Sequence, residues 1–420
     1  MLRNARRLAR RALTRAINSG PILALQVGTD RRIARKASGL EPSARSGHIV
    51  ISTVGLGNVG DQAMLEAFLD NSTEHVHVVM PATNSLTLPI RHAHRATLVH
   101  LPGLVDGMPY RRKNSRKAFV ELVRSAKTCS VIGADIMDGG YSPRESVLRC
   151  SVLALAHRLG ADTAVMGFSW NGNAHPLARD AIRGIASTTT LYARDPLSAS
   201  RLKADGIRCT EVADTVFSFD QIDAPRDLLS WRSSQAHRRL VVVNASGLVA
   251  SATMIREYVT AVSALRARDF AVLLVPHVLR QGDNDLNACS DVYSHFHADP
   301  AVHLVTRLMQ PAEVSWIVSE AEAVFTGRMH LAILSLNHGT PPCVVSTQGK
   351  VEGMLSLFGL ERYSLEPTVG LGSRAFDSIL ELTQDGLRDR LVTIHPTVRD
   401  MALSQFRHVN QHASHPRSLP

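Results

Sequence analysis

The stretch AVFTGRMHLAILSLNHGTPPCVV, residues 323–345, sets Arg328 and His330 two positions apart, after a short apolar run and at the start of a helical pattern. Thr326 is placed to cap that helix, which should close near Asn337 to Gly339. A guanidinium, an imidazole and the free amides of a helix start suit an anion. Arginine grips phosphate or carboxylate with two parallel hydrogen bonds, and the amide end of the helix adds partial positive charge. Imidazole titrates near neutral pH and is suited to giving or taking a proton there. Taken alone, the pair better fits an arginine held by a nearby acid and a histidine packed in place.

Other apolar runs end in groups of the same kinds. His277, then Asp283, Asn284 and Asp285, follow the run Ala271 to Pro276. RDPLS, Arg194 to Ser198, follows Thr189 to Ala193, and FSWNGNAH, Phe168 to His175, follows Thr163 to Gly167. In VIGADIMDGGY, Asp135 and Asp138 lie in a glycine-bounded loop. Singly, each side chain fits a structural role. Together they supply the arginine, histidine and carboxylate that acid–base chemistry on an anionic substrate requires.

ISTVGLGNVGDQAM, residues 51–64, contains Gly55, Gly57 and Gly60 in a Gly-x-Gly-x-x-Gly pattern. A dinucleotide fingerprint also needs an acid about 20 positions on, closing the second strand. Here the run His75 to Met80 ends in Pro81 and Ala82, and the acid is missing. Asp61, just after the last glycine, would cap the helix amides and repel a pyrophosphate. The motif therefore reads as a tight strand-to-helix turn, with Asn58 in a left-handed conformation and Asn58 and Asp61 offered to a ligand as polar contacts. H-E-x-x-H, G-x-S-x-G, Walker A and EF-hand patterns do not occur, so metal-dependent hydrolysis, serine esterase chemistry and nucleotide hydrolysis have no support.

The elements that must position these groups alternate short apolar runs with helical patterns, which is parallel βαβ construction. Expected strands are His48 to Val54, His75 to Met80, Thr97 to Leu101, Cys129 to Ile132, Asp162 to Gly167 and Thr189 to Ala193. After a polar break at 218–238 the series resumes with Leu240 to Asn244, Ala271 to Pro276, Val302 to Leu304, Ala323 to Phe325 and Pro342 to Ser346. The fold class is α/β, with two doubly wound, Rossmann-like domains facing a cleft. Domains are expected at 47–225 and 226–400, with an arm at 1–46 and a tail at 401–420.

The 420 residues are 45% hydrophobic but only 5% aromatic, which suits an aliphatic α/β protein. Residues 1–46 carry eleven Arg and Lys against Asp30 and Glu41, so +9 of the net +10 lies there and the remainder is nearly neutral. That distribution argues against a nucleic-acid surface on the globular part. Leu2, Ala5, Leu8, Ala9, Ala12, Leu13, Ala16 and Ile17 recur at helical steps between arginines, giving a basic amphipathic helix suited to an anionic membrane surface or to a solvated tail. Five dispersed cysteines without a C-x-x-C signal neither a disulfide framework nor a zinc ribbon, and a reducing cytoplasm is the expected setting.

The segments GLGNVGDQAML, VIGADIMDGGY, ARDPLSASRLKADGI followed by VADTVF, VPHVLRQGDND and FTGRMHLAILSLNHGTPPCVVSTQGKVEGMLSLFGL, in this order, resemble the polysaccharide pyruvyl transferase family over about residues 48–363. The resemblance implies two Rossmann-like domains arranged as in GT-B glycosyltransferases, the N-terminal one on the acceptor side and the C-terminal one on the donor side. It implies transfer of the enolpyruvyl unit of phosphoenolpyruvate to a sugar, with a ketal closed across two hydroxyls, commonly O4 and O6. The family's Arg-x-His matches Arg328 and His330. One departure is Gly133-Ala134-Asp135, where many members have consecutive glycines.

On this reading Arg328 and Arg194 neutralise phosphoenolpyruvate, Lys350 adds a positive contact, and His330 protonates C3. Asp138, Asp61 and His277 stand as unranked candidates for the base that takes the sugar hydroxyl's proton. No metal or redox cofactor is required. A glycan or glycolipid is the acceptor, and residues 1–46 would hold the protein at the inner face of the plasma membrane. Two alternatives are a GT-B glycosyltransferase using a nucleotide sugar and a non-catalytic, membrane-associated component of glycan assembly.

Overall fold

Uniformly apolar runs such as HIVI and LVVVN, without alternation, are what strands need when helices cover both faces of a parallel sheet. All eleven expected runs form strands, and every residue of those two is buried. The computed structural model describes residues 20–37, 44–53, 55, 57–81, 86–346 and 350–410. The chain divides into two units.

The first unit takes residues 1–54, 71–212 and 404–420. Its strands are β1 (His48–Ile51), β2 (Val76–Met80), β3 (Ala96–His100), β4 (Thr128–Ala134), β5 (Asp162–Phe168), β6 (Thr190–Ala193) and β7 (Thr210–Glu211). They form one parallel sheet in the order β3-β2-β1-β4-β5-β6-β7, with Ile51, Val131, Val165, Phe168 and Trp170 in one apolar core.

The second unit takes residues 55–70 and 213–403. Its strands are β8 (Leu240–Asn244), β9 (Ala271–Leu274), a hairpin of β10 (Leu279–Arg280) and β11 (Asp283–Asn284), β12 (Val302–Leu304), β13 (Ala323–Thr326), β14 (Pro342–Val345) and β15 (Ser364–Leu365). The main sheet is parallel, in the order β12-β9-β8-β13-β14-β15. Its order reverses between β8 and β13, and the crevice beyond the carboxyl ends at such a switch point is where doubly wound folds bind ligands.

The unit boundaries differ from the expected domains. The helix Val59–Asp70 packs with the second unit, against the 3-10 turn Thr215–Ser218 and the helices Pro311–Ser319 and Met329–Leu336. It is buried from Val59 to Leu69, its polar residues Asp61, Gln62 and Glu66 included, so its polar positions do not mark a solvent side. Residues 213–225 also join the second unit, where Asn337 donates to the carbonyls of Val216 and Phe219.

Neither end behaves as a simple extension. The expected amphipathic helix at 2–17 lies outside the described residues, but residues 20–37 of the arm form a helix packed on the helix Pro143–Arg158. At the other end, the helix Leu387–Ser404 runs through the start of the expected tail, and Asn410 donates to the carbonyl of Asn71. Among the described residues no helix is long and apolar enough to cross a membrane.

Candidate functional site

In the second unit, the carboxyl ends of β8, β9 and β13 bring together Asn244, His277 and Arg328. Asp285, which opens the helix Asp285–Tyr293, ties them. Its carboxylate accepts from the Asn244 side chain at 3.0 Å, from the backbone amides of Gly247, His277 and Val278 at 2.7, 3.1 and 3.0 Å, and from Arg328 Nη2 at 2.6 Å. Burial pushes the Asp285 pKa up, but the bonds from Arg328 and these amide donors outweigh it and hold the group below the ordinary carboxylate range.

Arg328 corrects the expectation of an open anion grip. Only 8% exposed, it forks onto Asp285 and also onto Asp283, with Nη1 3.2 Å from Asp283 Oδ2. Burial alone would lower its pKa, and the two carboxylates raise it instead. Asp283 is less tightly held: among the described residues its side-chain partners are Arg328 and the half-exposed Arg280, the latter at 3.0 Å. Thr326 does not cap the helix; its hydroxyl accepts from the Arg328 amide at 2.9 Å, and Arg328 is itself the N-cap residue of Met329–Leu336. The helix does end at Asn337, as its sequence suggests.

His330 sits in the first turn of that helix, its Nε2 3.6 Å from Asp214 Oδ2, so a protonated ring would complete an ion pair. Asp214 also accepts from the Val216 amide at 2.9 Å, which fixes its carboxylate. On the ring's other side lies Gly60: a Cβ there would stand 2.3 Å from His330 Nδ1. The last glycine of the glycine-rich motif therefore seats an imidazole. The motif's turn is held by Gly55 and Gly57, with φ of 68° and 75°, while Asn58 is not left-handed as expected. Asn58 Oδ1 accepts from the Gly60 amide at 3.0 Å, and its backbone forms an isolated bridge with Val278. Asp61 turns inward, accepting from the Gly55 amide at 3.0 Å, which corrects its reading as a ligand contact.

His277 is 1% exposed, and among the described residues neither ring nitrogen has a hydrogen-bond partner. Burial, with the neighbouring His330 and Arg328 charges, pushes its pKa down to about 3 despite the opposing pull of Asp285. So weakly basic a ring does not suit the role of general base near neutral pH. Lys350 stands at the N-cap position of the helix Val351–Ser356.

The remaining candidates lie in the first unit. Asp138 is buried and accepts from the Gly140 amide at 2.8 Å. Arg194 is buried, and its Nε donates to Ser169 Oγ at 2.8 Å; Asp195, next to it, caps the helix Pro196–Ala204. Ala134 has φ 46°, in the left-handed region that favours glycine, so the family's consecutive glycines match a backbone this chain fills with alanine. Four of the five cysteines are buried, as small hydrophobes, and Cys209 is half-buried.

Asp214 is the site residue that residue-type reasoning missed. Its signal lay in the segment VADTVF, where an acid precedes a short turn.

Three solved structures show the fold. A Listeria monocytogenes protein described as a UDP-N-acetylglucosamine 2-epimerase is 12% identical, with 89% of this chain and 98% of that one covered and a TM-score of 0.59. A glycosyltransferase from Rickettsia africae is 11% identical (87% and 99% covered, TM-score 0.57). The UDP-N-acetylglucosamine 2-epimerase from Neisseria meningitidis is 8% identical (87% and 100% covered, TM-score 0.55). At such identities the likeness is one of fold alone, and it gives the α/β, Rossmann-like, GT-B-like class expected of the sequence. No curated protein sequence matches the chain. The model of the family described as polysaccharide pyruvyl transferase matches residues 91–349, a span that includes Asp214, His277, Asp285, Arg328 and His330. With more than half of its length inside that match, the chain belongs to the polysaccharide pyruvyl transferase family.

Proposed function

We propose that the protein transfers the pyruvyl group of phosphoenolpyruvate to two hydroxyls of a hexose in a glycan. The observation that carries this reading is His330, an imidazole held between Asp214 and Gly60 at the switch point of the second unit. Protonated, it donates to C3 of the enol ester and makes C2 electrophilic. One sugar hydroxyl then attacks C2 and loses its proton to a base, inorganic phosphate departs, and the second hydroxyl closes the ketal with loss of its own proton. The sequence of steps needs no metal or redox cofactor.

Phosphoenolpyruvate carries two anionic groups, and Arg328 is already paired with two carboxylates. In this proposal Asp285 is permanent, because Asn244 and three backbone amides also bind it. Asp283 holds the place of a donor anion on Arg328 and yields to it, remaining with Arg280. Lys350, at the start of the helix Val351–Ser356 in the same unit, supplies further positive charge. A lipid-linked acceptor would bring the protein to the inner face of the plasma membrane, with residues 1–46 as its contact.

Thermal melts test the donor. Phosphoenolpyruvate should raise the melting temperature, whereas UDP- and GDP-sugars should leave it unchanged; the reverse pattern would favour a nucleotide-sugar enzyme of the same fold.

A further inference from the structure

We propose that the outward face shared by the helices Gly20–Ala37 and Pro109–Ser125 is a docking surface for an anionic lipid bilayer. The idea rests on the reading that the protein works at a membrane, and it moves the contact from a leader onto the folded first unit.

Asp30 fixes the two helices together. Only 2% exposed, it accepts from Arg112 at 3.0 and 2.7 Å, from Arg116 at 3.3 Å and from Ser151 at 2.6 Å. The helices hold only one other acid, Glu121. Arg31, Arg32 and Lys36 on the first helix and Arg111, Lys113 and Lys117 on the second are exposed, with Arg32 and Lys36 on the side of Leu25 and Lys113 and Lys117 on the side of Tyr110 by helical spacing. None of the six pairs with a carboxylate among the described residues. Leu25 and Tyr110, 64% and 69% exposed, give the same helices an aliphatic and an aromatic side chain at the surface. Surfaces built for solubility intersperse both signs. Positive charge in strong excess, with Glu121 the exposed acid of the two helices, matches together with the exposed apolar side chains the headgroup boundary of an anionic bilayer, where each lysine or arginine contributes about 1 kcal/mol. Six further arginines lie in residues 1–19, directly before the first helix.

The test is sedimentation of the full chain with phosphatidylcholine vesicles, with and without phosphatidylglycerol. Binding should require phosphatidylglycerol and weaken with salt. Lys113→Glu with Lys117→Glu, shown by circular dichroism to be folded, should lower partitioning about ten-fold or more. Deletion of residues 2–19 should weaken binding and leave it dependent on phosphatidylglycerol. Unchanged binding by the double variant, or complete loss on the deletion, overturns the docking face while leaving a leader contact standing. A full chain that ignores both vesicles removes the membrane reading altogether, and tighter capture by duplex DNA than by vesicles overturns the choice of partner.

Discussion

His330 rests on Gly60: any side chain at position 60 would begin 2.3 Å from the imidazole Nδ1. The backbone at Gly60 is ordinary helix, and alanine there is intrinsically favourable by about 1 kcal/mol. Gly60→Ala should therefore leave a folded protein with a displaced ring and lose about a hundred-fold in kcat, as misplacement of a reacting group does. Steady-state kinetics beside a thermal melt check this. A variant with unchanged turnover would remove the seating role.

His330→Gln should lower kcat by about a hundred-fold or more while the fold is kept. Asp214→Asn keeps an acceptor for the Val216 amide but removes the charge facing Nε2. It should reduce kcat, and Asp214→Ala should in addition lower the melting temperature. Equal melting points for the two variants would contradict the double role.

The two aspartates on Arg328 should part company. Asp285→Ala leaves a buried guanidinium and several amides short of a partner and should destabilise by about 3–5 kcal/mol in denaturant titration. Asp283→Asn should leave stability nearly intact and lower the KM for phosphoenolpyruvate, because its carboxylate no longer competes for Arg328. A raised KM with unchanged kcat would instead make Asp283 part of the binding surface.

Acid stability carries the signature of His277. Its pKa is about 3 when folded against 6.5 as the ordinary value, so between these limits the unfolded chain binds the extra proton. Stability should rise with pH through that window, at up to about 1.4 kcal/mol per pH unit, and level off above it. His277→Gln should flatten this limb in urea titrations at several pH values; an unchanged slope would place the titration elsewhere.

Ala134 supplies a gain-of-stability check. At φ 46° it bears steric strain that glycine would not. Ala134→Gly should raise stability by about 0.5–1 kcal/mol after the entropy of the unfolded chain is counted.

The strands were legible because a buried parallel strand is a plain apolar run, and the groups at their carboxyl ends were legible because that is where such folds place polar residues. The unlike fates of those groups were not. Arg328 and Asp285 are 43 residues apart, and nothing local shows that one neutralises the other. The helix Val59–Asp70 is buried from Val59 to Leu69, Asp61, Gln62 and Glu66 included, so its sequence pattern cannot say which sheet it covers. Short strands such as β7 and β15, two residues each, carry too little pattern to read.

Phosphate release from phosphoenolpyruvate, followed against a panel of hexosides with products read by mass, tests the central claim most directly. The account predicts release that depends on the acceptor, matches ketal formed mole for mole, and disappears in His330→Gln. Absence of release with every hexoside, together with turnover of a nucleotide sugar by the same preparation, would contradict it.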